Sequence, residues 1–487
     1  MFRPLAASTL AVAALMSALP AAAFQVGQTY ERPQVALPSA YRNAPPPAQG
    51  AAELEAWWAS FGDPELTRIV ERARAQNLDL EQARARILQA RAQVKVATSR
   101  LLPSGELGAA AANQQQSLLS PIGAIGQHLP GYRRETDLYD LGASASWEID
   151  LFGGLRRGRE AARADAAATI LQGEAVMLSV TAEAADAYLQ ARALQARVAV
   201  ANRQLQTQRE LVDLLQQRVA QGIAAERDLH QAQAAQEGVA ASIPPLLAAL
   251  EAQLNRLDVL MGAAPGTYRA ELETVAPIPA APALSVAETP ADLLRRRPDV
   301  IAAEQRLVAA NARVGVATAE YYPKISISGL LGLESVDSSN LFAGNAVQHQ
   351  IGAGLRWRLF DFGRVDGEVA AAKGAKAEAL AAYRQSVLTA AADVENAFSD
   401  LAQQQARAAA LQRQVDDLTT ARRQAEQAYE GGVASLIEVR DTDRDLLAAA
   451  DQLVQARAGA ARAAVAAYRA LGGGWTPAVP GKAAGGR

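Results

Sequence analysis

Two hydrophobic patterns alternate along this chain. In the first, apolar and small polar residues alternate strictly, as in Leu141, Ala143, Ala145 and Trp147 with glycine or serine between them. A period of two is typical of β-strands with one apolar face. The pattern predicts four strands, at about 103–116, 138–152, 323–335 and 349–361.

The second pattern is helical and unusually long. No proline occurs in residues 155–220 or 364–430, and both runs are rich in Ala, Gln, Arg and Leu. At about 1.5 Å per residue, each run predicts a helix of about 100 Å. Such a helix cannot bury its apolar face within a compact domain, so it must pack along other long helices.

Each long helix is predicted to turn back at a glycine. Gly222 and Gly432 follow the two runs, and glycine just past a helix end is a common C-terminal cap. Returning helices then complete two helical hairpins, 155–262 and 364–471. Pro244-Pro245 predicts a kink in the first returning helix.

A further helix precedes the first strand pair, from about residue 65 to 100. Pro64 fits its first position after an Asp63 cap, and a break is expected near Asn77-Leu78. A corresponding helix at 291–320 precedes the second strand pair. Together with the returning helices, these shorter helices are expected to match the length of the long ones.

The chain is a tandem repeat. Residues recur at spacings of 210 and 220, and each copy joins two strands to a helical hairpin. The recurring pairs are Trp147 and Trp357, Phe152-Gly153 and Phe362-Gly363, Tyr188 and Phe398, Gly222 and Gly432, and residues 94–98 and 314–318. The expected organisation is a first repeat at 51–262, a linker at 263–290, a second repeat at 291–475 and a tail at 476–487.

The N-terminus resembles a secretory signal. Residues 1–23 combine Arg3, an alanine-rich apolar stretch and Ala21-Ala22-Ala23, so cleavage before Phe24 is expected. The alternative is an N-terminal membrane anchor. Residues 24–50 are Pro- and Ala-rich and are expected to form an extended arm that is poorly ordered alone.

The amino-acid composition excludes several kinds of functional site. The chain has no cysteine, which excludes disulfides and thiol catalysis, and its formal net charge of −3 implies no polyanionic partner such as nucleic acid. Its three histidines are scattered, and we expect surface positions rather than a metal site. No nucleophile–base arrangement is visible, so an enzyme is not expected, and no cofactor is implied.

The strands carry charges on their polar face: Glu148, Asp150, Arg356 and Arg358. In a soluble sandwich this face would meet water. In a membrane barrel it would surround a lumen, with Trp147 and Trp357 on the lipid face. Four strands cannot close a barrel, and an open edge in lipid leaves backbone groups unsatisfied, so a membrane location requires assembly. Two copies would give eight strands and three would give twelve.

Four ordered segments resemble the outer membrane factor family of TolC-like efflux channels, in its NodT/OprM-like branch. They are residues 147–154, 292–300, 311–323 and 469–475. The resemblance implies a trimeric twelve-stranded barrel in the Gram-negative outer membrane, continuous with a periplasmic α-helical barrel. It also implies a passive exit duct for small molecules, working with a periplasmic adaptor and an inner membrane pump of the RND type. This branch commonly has a lipidated cysteine at the cleavage site, which this sequence lacks.

The candidate site lies just beyond the second hairpin tip. Ile437, Asp441 and Arg444 are spaced to share one helix face. The resemblance implies that they line a periplasmic gate, whereas the alternative is a solvated, ion-paired helix face. The first repeat has Arg227, Gln231 and Ala234 at the corresponding positions, so one hairpin per chain would supply the gate. The glycine tips, Gly222-Ile223 and Gly432-Val433, are the expected adaptor contacts.

Two other functions stay open. A channel for type I protein secretion would share this fold, because substrate class depends largely on partners that this chain does not encode. A periplasmic coiled-coil scaffold with small sheets is the second alternative. A conduit for small-molecule efflux is the function that we expect.

Overall fold

The structure is a computed structural model that describes residues 25–45, 54–284 and 289–476. The expected signal segment 1–23, the cleavage point at Phe24, residues 46–50 of the arm and the tail beyond Thr476 lie outside the described residues. The chain divides into two compact units. The strand unit contains residues 25–33, 89–167 and 305–381, and the helical unit contains residues 34–88, 168–304 and 382–476.

Helices make up most of the described chain. They are α1 (Pro64–Gln76), α2 (Leu78–Ser99), α3 (Pro121–Gly126), α4 (Gly154–Ala220), α5 (Glu226–Leu260), α6 (Arg269–Leu272), α7 (Pro290–Arg296), α8 (Pro298–Ala319), α9 (Arg364–Glu430) and α10 (Leu436–Ala470). Short 3-10 helices lie at Trp57–Phe61, Ser338–Asn340 and Gly344–Ala346. Among the described residues, none of these helices combines the length and apolar character needed to cross a membrane.

Helix boundaries follow local side-chain chemistry. The Asp63 carboxylate accepts hydrogen bonds from the first-turn amides of α1, and Pro64 occupies its first position, as predicted. The predicted break falls at Asn77, whose Oδ1 accepts from the Asp79 amide at 2.9 Å while its Nδ2 donates to the Leu260 carbonyl at 3.0 Å. Helix α5 continues through Pro244 and Pro245 without a break in its helical assignment.

Both hairpin tips close in the same way. Gly222 and Gly432 have φ of 73° and 74°, in the left-handed region that favours glycine. The following amides donate back to the ends of the long helices, Ile223 to the Arg218 carbonyl at 2.8 Å and Val433 to the Ala428 carbonyl at 2.9 Å. The second tip is further fixed by a capping box between Ser435 and Glu438 at the start of α10.

The sheet is a four-stranded antiparallel meander, β1-β2-β3-β4. Its strands are β1 (Ser104–Gln115), β2 (Glu135–Ile149), β3 (Lys324–Ser335) and β4 (Val347–Arg356). The edge strand β1 is exposed along its whole length, and the other edge strand, β4, is exposed at all but two positions. The central strands β2 and β3 are partly buried.

Two predicted strand ends are wrong. Strand β2 ends at Ile149 rather than 152, because the Asp150 carboxylate accepts hydrogen bonds from the Leu155 and Arg156 amides and draws the chain into α4. Strand β4 ends at Arg356 rather than 361, where its pairing with Lys324 of β3 ends. Beyond it, Phe362 is the only non-glycine residue among those described with a positive φ, at 53°.

The two repeat copies place equivalent residues in equivalent settings. Tyr188 and Phe398 are 1% and 2% exposed, and each packs in the helical unit. The Tyr188 hydroxyl donates to Asp63 at 2.6 Å, and Phe398 meets Tyr41 edge-on at 5.5 Å. In the strand unit, the indole N–H groups of Trp147 and Trp357 donate to equivalent carbonyls, Leu101 and Tyr321, both at 3.0 Å.

The described part of the N-terminal arm, residues 25–45, has no helix or strand. In the strand unit it is held by Arg157, which is 4% exposed and donates to the carbonyls of Val26 and Gly27 at 3.1 and 3.0 Å. Gly27 has φ of 90°, and a Cβ there would lie 2.7 Å from the Gly315 Cα. The start of the arm is therefore held by specific contacts that composition does not reveal, and an extended conformation of the whole arm stays a prediction.

Candidate functional site: a groove beside the hairpin tips

A groove of about 670 Å³ runs along the helical unit between α4, α5 and α10. Ile437, Asp441 and Arg444, the predicted gate residues, all line its α10 side. Arg197 and Gln208 contribute from α4, and Gln231, the first-repeat counterpart of Asp441, contributes from α5. The structure therefore brings the predicted residues together on one concave surface.

Helix α10 has two chemically different faces at this point. Val439 and Asp443 are 8% and 6% exposed and face the hairpin partner α9, where Asp443 accepts from Arg422 Nε at 2.9 Å. Ile437 is 62% exposed, and the side chains of Asp441 and Arg444 are 58% and 71% exposed. The predicted gate residues therefore lie on the face turned away from α9.

Ion pairs cross the groove and run along it. Asp441 and Arg444 form an intrahelical pair at 3.4 Å, and Arg444 also contacts Asp445 at 3.3 Å. Arg440 Nη1 donates weakly to Gln231 Oε1 at 3.5 Å. A stronger link joins α4 to α10, because Arg197 contacts both oxygens of Asp451, at 2.7 and 3.2 Å. This bidentate pair fixes the two hairpins against each other within the helical unit.

Sequence analysis did not identify Asp443, the buried carboxylate of this region. Burial raises the pKa of the Asp443 carboxyl, and the charge and hydrogen bond of Arg422 offset this only in part. The signal was present in the spacing, since Val439 and Asp443 are four residues apart and share the face opposite Asp441. What the sequence could not give was the partner, which lies 21 residues earlier on α9.

The hairpin tips present apolar side chains to solvent. Ile223 is 68% exposed and Val433 is 85% exposed, each directly after the left-handed glycine of its tip. The two tips are joined by Arg218, whose guanidinium lies 4.8 Å from the Tyr429 ring centroid and also hydrogen-bonds its hydroxyl. An adaptor contact at Gly222, Ile223, Gly432 and Val433 stays a prediction.

Two of the four predicted strand charges lie on strands. Glu148 is on β2 opposite Ser326, and Arg356 is the last residue of β4, opposite Lys324. In the single chain, Asp150 and Arg358 lie just past the strand ends, so the structure of one chain does not place them on strands as predicted. The Asp150 carboxylate caps α4 and pairs with Arg156 at 3.0 Å, and Arg358 pairs with Glu320 at 3.2 Å. Within the single chain, both charges contact the strand–helix junctions.

Comparison with known proteins identifies the family. Residues 69–263 and 289–473 match the model of the family described as "Outer membrane efflux protein", one segment for each repeat copy. The pyoverdine export outer membrane protein OpmQ of Pseudomonas putida is 32% identical over 446 residues, which cover 91% of this chain and 93% of that protein. The outer membrane protein OprJ of Pseudomonas aeruginosa is 30% identical over 476 residues, which cover 95% and 96%.

A solved structure shows the same fold. The outer-membrane channel OprN matches with a TM-score of 0.84 and 35% identity, over 92% of this chain and 99% of that one. The predicted fold class, the outer membrane location and the role as an efflux exit channel are confirmed, and type I protein secretion is not supported. Matched in both copies of its repeat and along nearly its whole length, this chain belongs to the outer membrane efflux protein family.

Proposed function

We propose that this chain is one of three identical subunits of a passive channel through which an inner membrane pump exports small molecules. The observation that carries the proposal is the sheet with two exposed edges, β1 and β4. A membrane barrel requires every edge to be paired, and four strands are too few to close one. Three copies give twelve strands, wide enough for a lumen, whereas eight strands would be filled by side chains.

The partners follow from the two-membrane route. We propose a periplasmic adaptor that docks at the tips Gly222-Ile223 and Gly432-Val433, and a pump of the RND type. The exposure of Ile223 and Val433 supports docking there, because the contact between Arg218 and Tyr429 joins the two tips that carry them. The Pseudomonas putida relative is named for pyoverdine export, which supports small organic molecules as the substrate class.

We further propose that Ile437, Asp441 and Arg444 form the periplasmic gate. Their exposure on the face of α10 opposite α9 supports this, because threefold symmetry could bring that face toward the pore axis. Pairing of Asp441 and Arg444 between subunits would hold the pore closed. Opening would then require a partner that favours the dilated state, and an adaptor at the tips could supply it.

The experiment is reconstitution in two settings. The purified protein is weighed in detergent by light scattering and inserted into planar bilayers, where a complex of three chains with discrete conductance steps is expected. In cells that lack their own exit channel, the protein together with its adaptor and pump should lower the accumulation of a fluorescent pump substrate. Omission of the adaptor is the control and should abolish export. A monomer without conductance, or export that persists without the adaptor, would contradict the proposal.

A further inference from the structure

We propose that neighbouring subunits pair β4 with β1 in one fixed antiparallel register, in which Trp357 lies opposite Leu107 and Arg358 lies opposite Glu106. The inference rests on the proposed trimer and goes beyond it by naming the residues that meet. The register comes from the tandem repeat itself, which relates the pairings inside one chain to the pairing between chains.

The residue numbers of paired residues have a constant total in each antiparallel pair. That total is 250 for β1–β2, 474 for β2–β3 and 680 for β3–β4. In the repeat, each β1 residue corresponds to the β3 residue 220 positions later, and each β2 residue to the β4 residue 210 positions later. Adding both spacings to the β1–β2 total of 250 gives the observed β3–β4 total of 680. The second copy therefore reproduces the register of the first, so the shifts describe real structural equivalence.

The same shifts define the register of the missing pair. In a closed ring, the pairing equivalent to β2–β3 is β4 with β1 of the neighbouring subunit. Replacing each β2 residue by its β4 counterpart adds 210, and replacing each β3 residue by its β1 counterpart subtracts 220. The total of paired residue numbers therefore changes from 474 for β2–β3 to 464 for β4 with the neighbour's β1. Odd residues of β4 then face odd residues of β1, so the face that carries Trp357, Leu355 and Ile351 continues onto Leu107.

The side chains brought together are chemically complementary. Trp357 opposite Leu107 repeats the observed pair of Trp147 and Ile327 on β2 and β3. Both are exposed in one chain, Trp357 at 51% and Leu107 at 78%. Arg358 falls opposite Glu106, and opposite charges directly across an antiparallel pair are stabilising. A slip by two residues would lose both matches.

The register also accounts for the early end of β4. On β2, residues Trp147, Glu148 and Ile149 pair only with β3 and lie beyond the end of the β1 pairing. Their counterparts on β4 are residues 357–359, which lie beyond the end of the β3 pairing. We infer that these three residues become strand when they pair with residues 105–107 of the neighbouring subunit.

The repeat spacings also predict an apolar contact between subunits at the strand–helix junction. Phe152 stacks on Tyr322, with ring centroids 4.6 Å apart. The repeat shifts convert this pair into Phe362 of one subunit and Leu102 of the next. In one chain Phe362 is fully exposed at 101% and Leu102 is 62% exposed. Burial of both against each other would complete the junction between subunits as Phe152 and Tyr322 complete it within one.

The absence of cysteine allows a direct test by disulfide cross-linking. Ala353→Cys with Ala111→Cys places two thiols directly opposite each other in the proposed register. Opposed residues lie about 4.5–5.5 Å apart between Cβ atoms, within reach of a disulfide, whereas diagonal neighbours at about 7–8 Å are not. Within one chain the two positions are on opposite sheet edges, at least about 14 Å apart, so only bonds between subunits can form.

The matched control is Ala353→Cys with Ala109→Cys, which is displaced by two residues on the same face. A third variant, Leu355→Cys with Ala109→Cys, shows that position 109 is reactive. Mild oxidation should convert the first and third variants into covalent oligomers in denaturing gels, while the control and each single variant stay monomeric.

Each outcome decides between the two proposals. Cross-linking of the displaced pair instead, or of matched and displaced pairs equally, would overturn the register. The register is also overturned if no pair links while light scattering shows three chains, and the trimeric channel then stands. A monomer in detergent that still folds would overturn the trimer and the register together.

Discussion

Removal of the pair Asp441–Arg444 tests the gate most directly. In the structure this pair is 3.4 Å apart and more than half exposed on both sides, so within one chain it behaves as a surface ion pair. Surface pairs contribute about 0.2–1 kcal/mol each. Asp441→Ala with Arg444→Ala should therefore leave folding and assembly nearly unchanged, because α10 keeps its buried contacts through Val439 and Asp443.

The effect on the closed pore is larger than the effect on one chain, because a trimer contains three copies of the pair. Three Asp441–Arg444 pairs between subunits, each as strong as a surface ion pair, would contribute about 0.6–3 kcal/mol to closure. Their loss would shift the ratio of closed to open channels by about 3-fold to about 150-fold. We expect the double variant to show a correspondingly higher open probability or mean conductance in planar bilayers. Wild-type channels should move toward this behaviour at high salt, since exposed charges are screened.

A matched control exists at the first tip. Arg227 and Asp228 form an ion pair at 3.2 Å with side chains 76% and 37% exposed, and Arg227 is the repeat counterpart of Ile437. Arg227→Ala with Asp228→Ala removes a comparable pair outside the proposed gate, so its conductance should match the wild type. Unchanged conductance in a well-assembled Asp441/Arg444 variant, or equal gains in both variants, would refute the gate.

Two further predictions concern parts held by buried charges. Arg157→Ala removes the hydrogen bonds to the Val26 and Gly27 carbonyls and should free the arm, seen as faster proteolysis near residue 30 with a lower free energy of unfolding, by about 2–4 kcal/mol; an arm that stays equally protected would contradict it. Because the pKa of Asp443 is raised in the folded chain, its contribution to stability is fully present below the unfolded pKa and is lost as pH rises through the folded value. The stability of the wild type relative to Asp443→Asn should therefore increase from pH 7 toward pH 4 in thermal melts, and a constant or opposite difference would contradict the assignment.

Much of the fold could be predicted from periodicity alone. The two long helices, the glycine tips and the break at Asn77 depend on local chemistry, and the structure has them within a few residues of the predicted positions. Strands β1 and β3 likewise begin and end within one residue of the predicted positions, and β4 begins within two residues of its predicted start. The errors lie where local pattern and pairing disagree, since alternation continues through Trp357 and Leu359 although the β3 pairing stops at Arg356.

The site was less predictable for a physical reason. The shared face of Ile437, Asp441 and Arg444 follows from helical spacing, and the structure has all three on one groove. The groove itself depends on contacts such as Arg197 with Asp451, which join residues 254 positions apart. Asp150 was misplaced because a charge that continues a strand pattern and a charge that caps the next helix look alike in sequence.

The two connections at the far ends of the strands differ in length without disturbing the sheet. Residues 116–134 join β1 to β2 and include the short helix α3, whereas residues 336–346 join β3 to β4. The ten-residue difference between the repeat spacings of 220 and 210 falls in these connections, yet the register of the second strand pair reproduces that of the first. The register of strand pairing therefore does not depend on the length of these loops. Mutation and selection can lengthen, shorten or exchange these loops while the register of the strands stays the same.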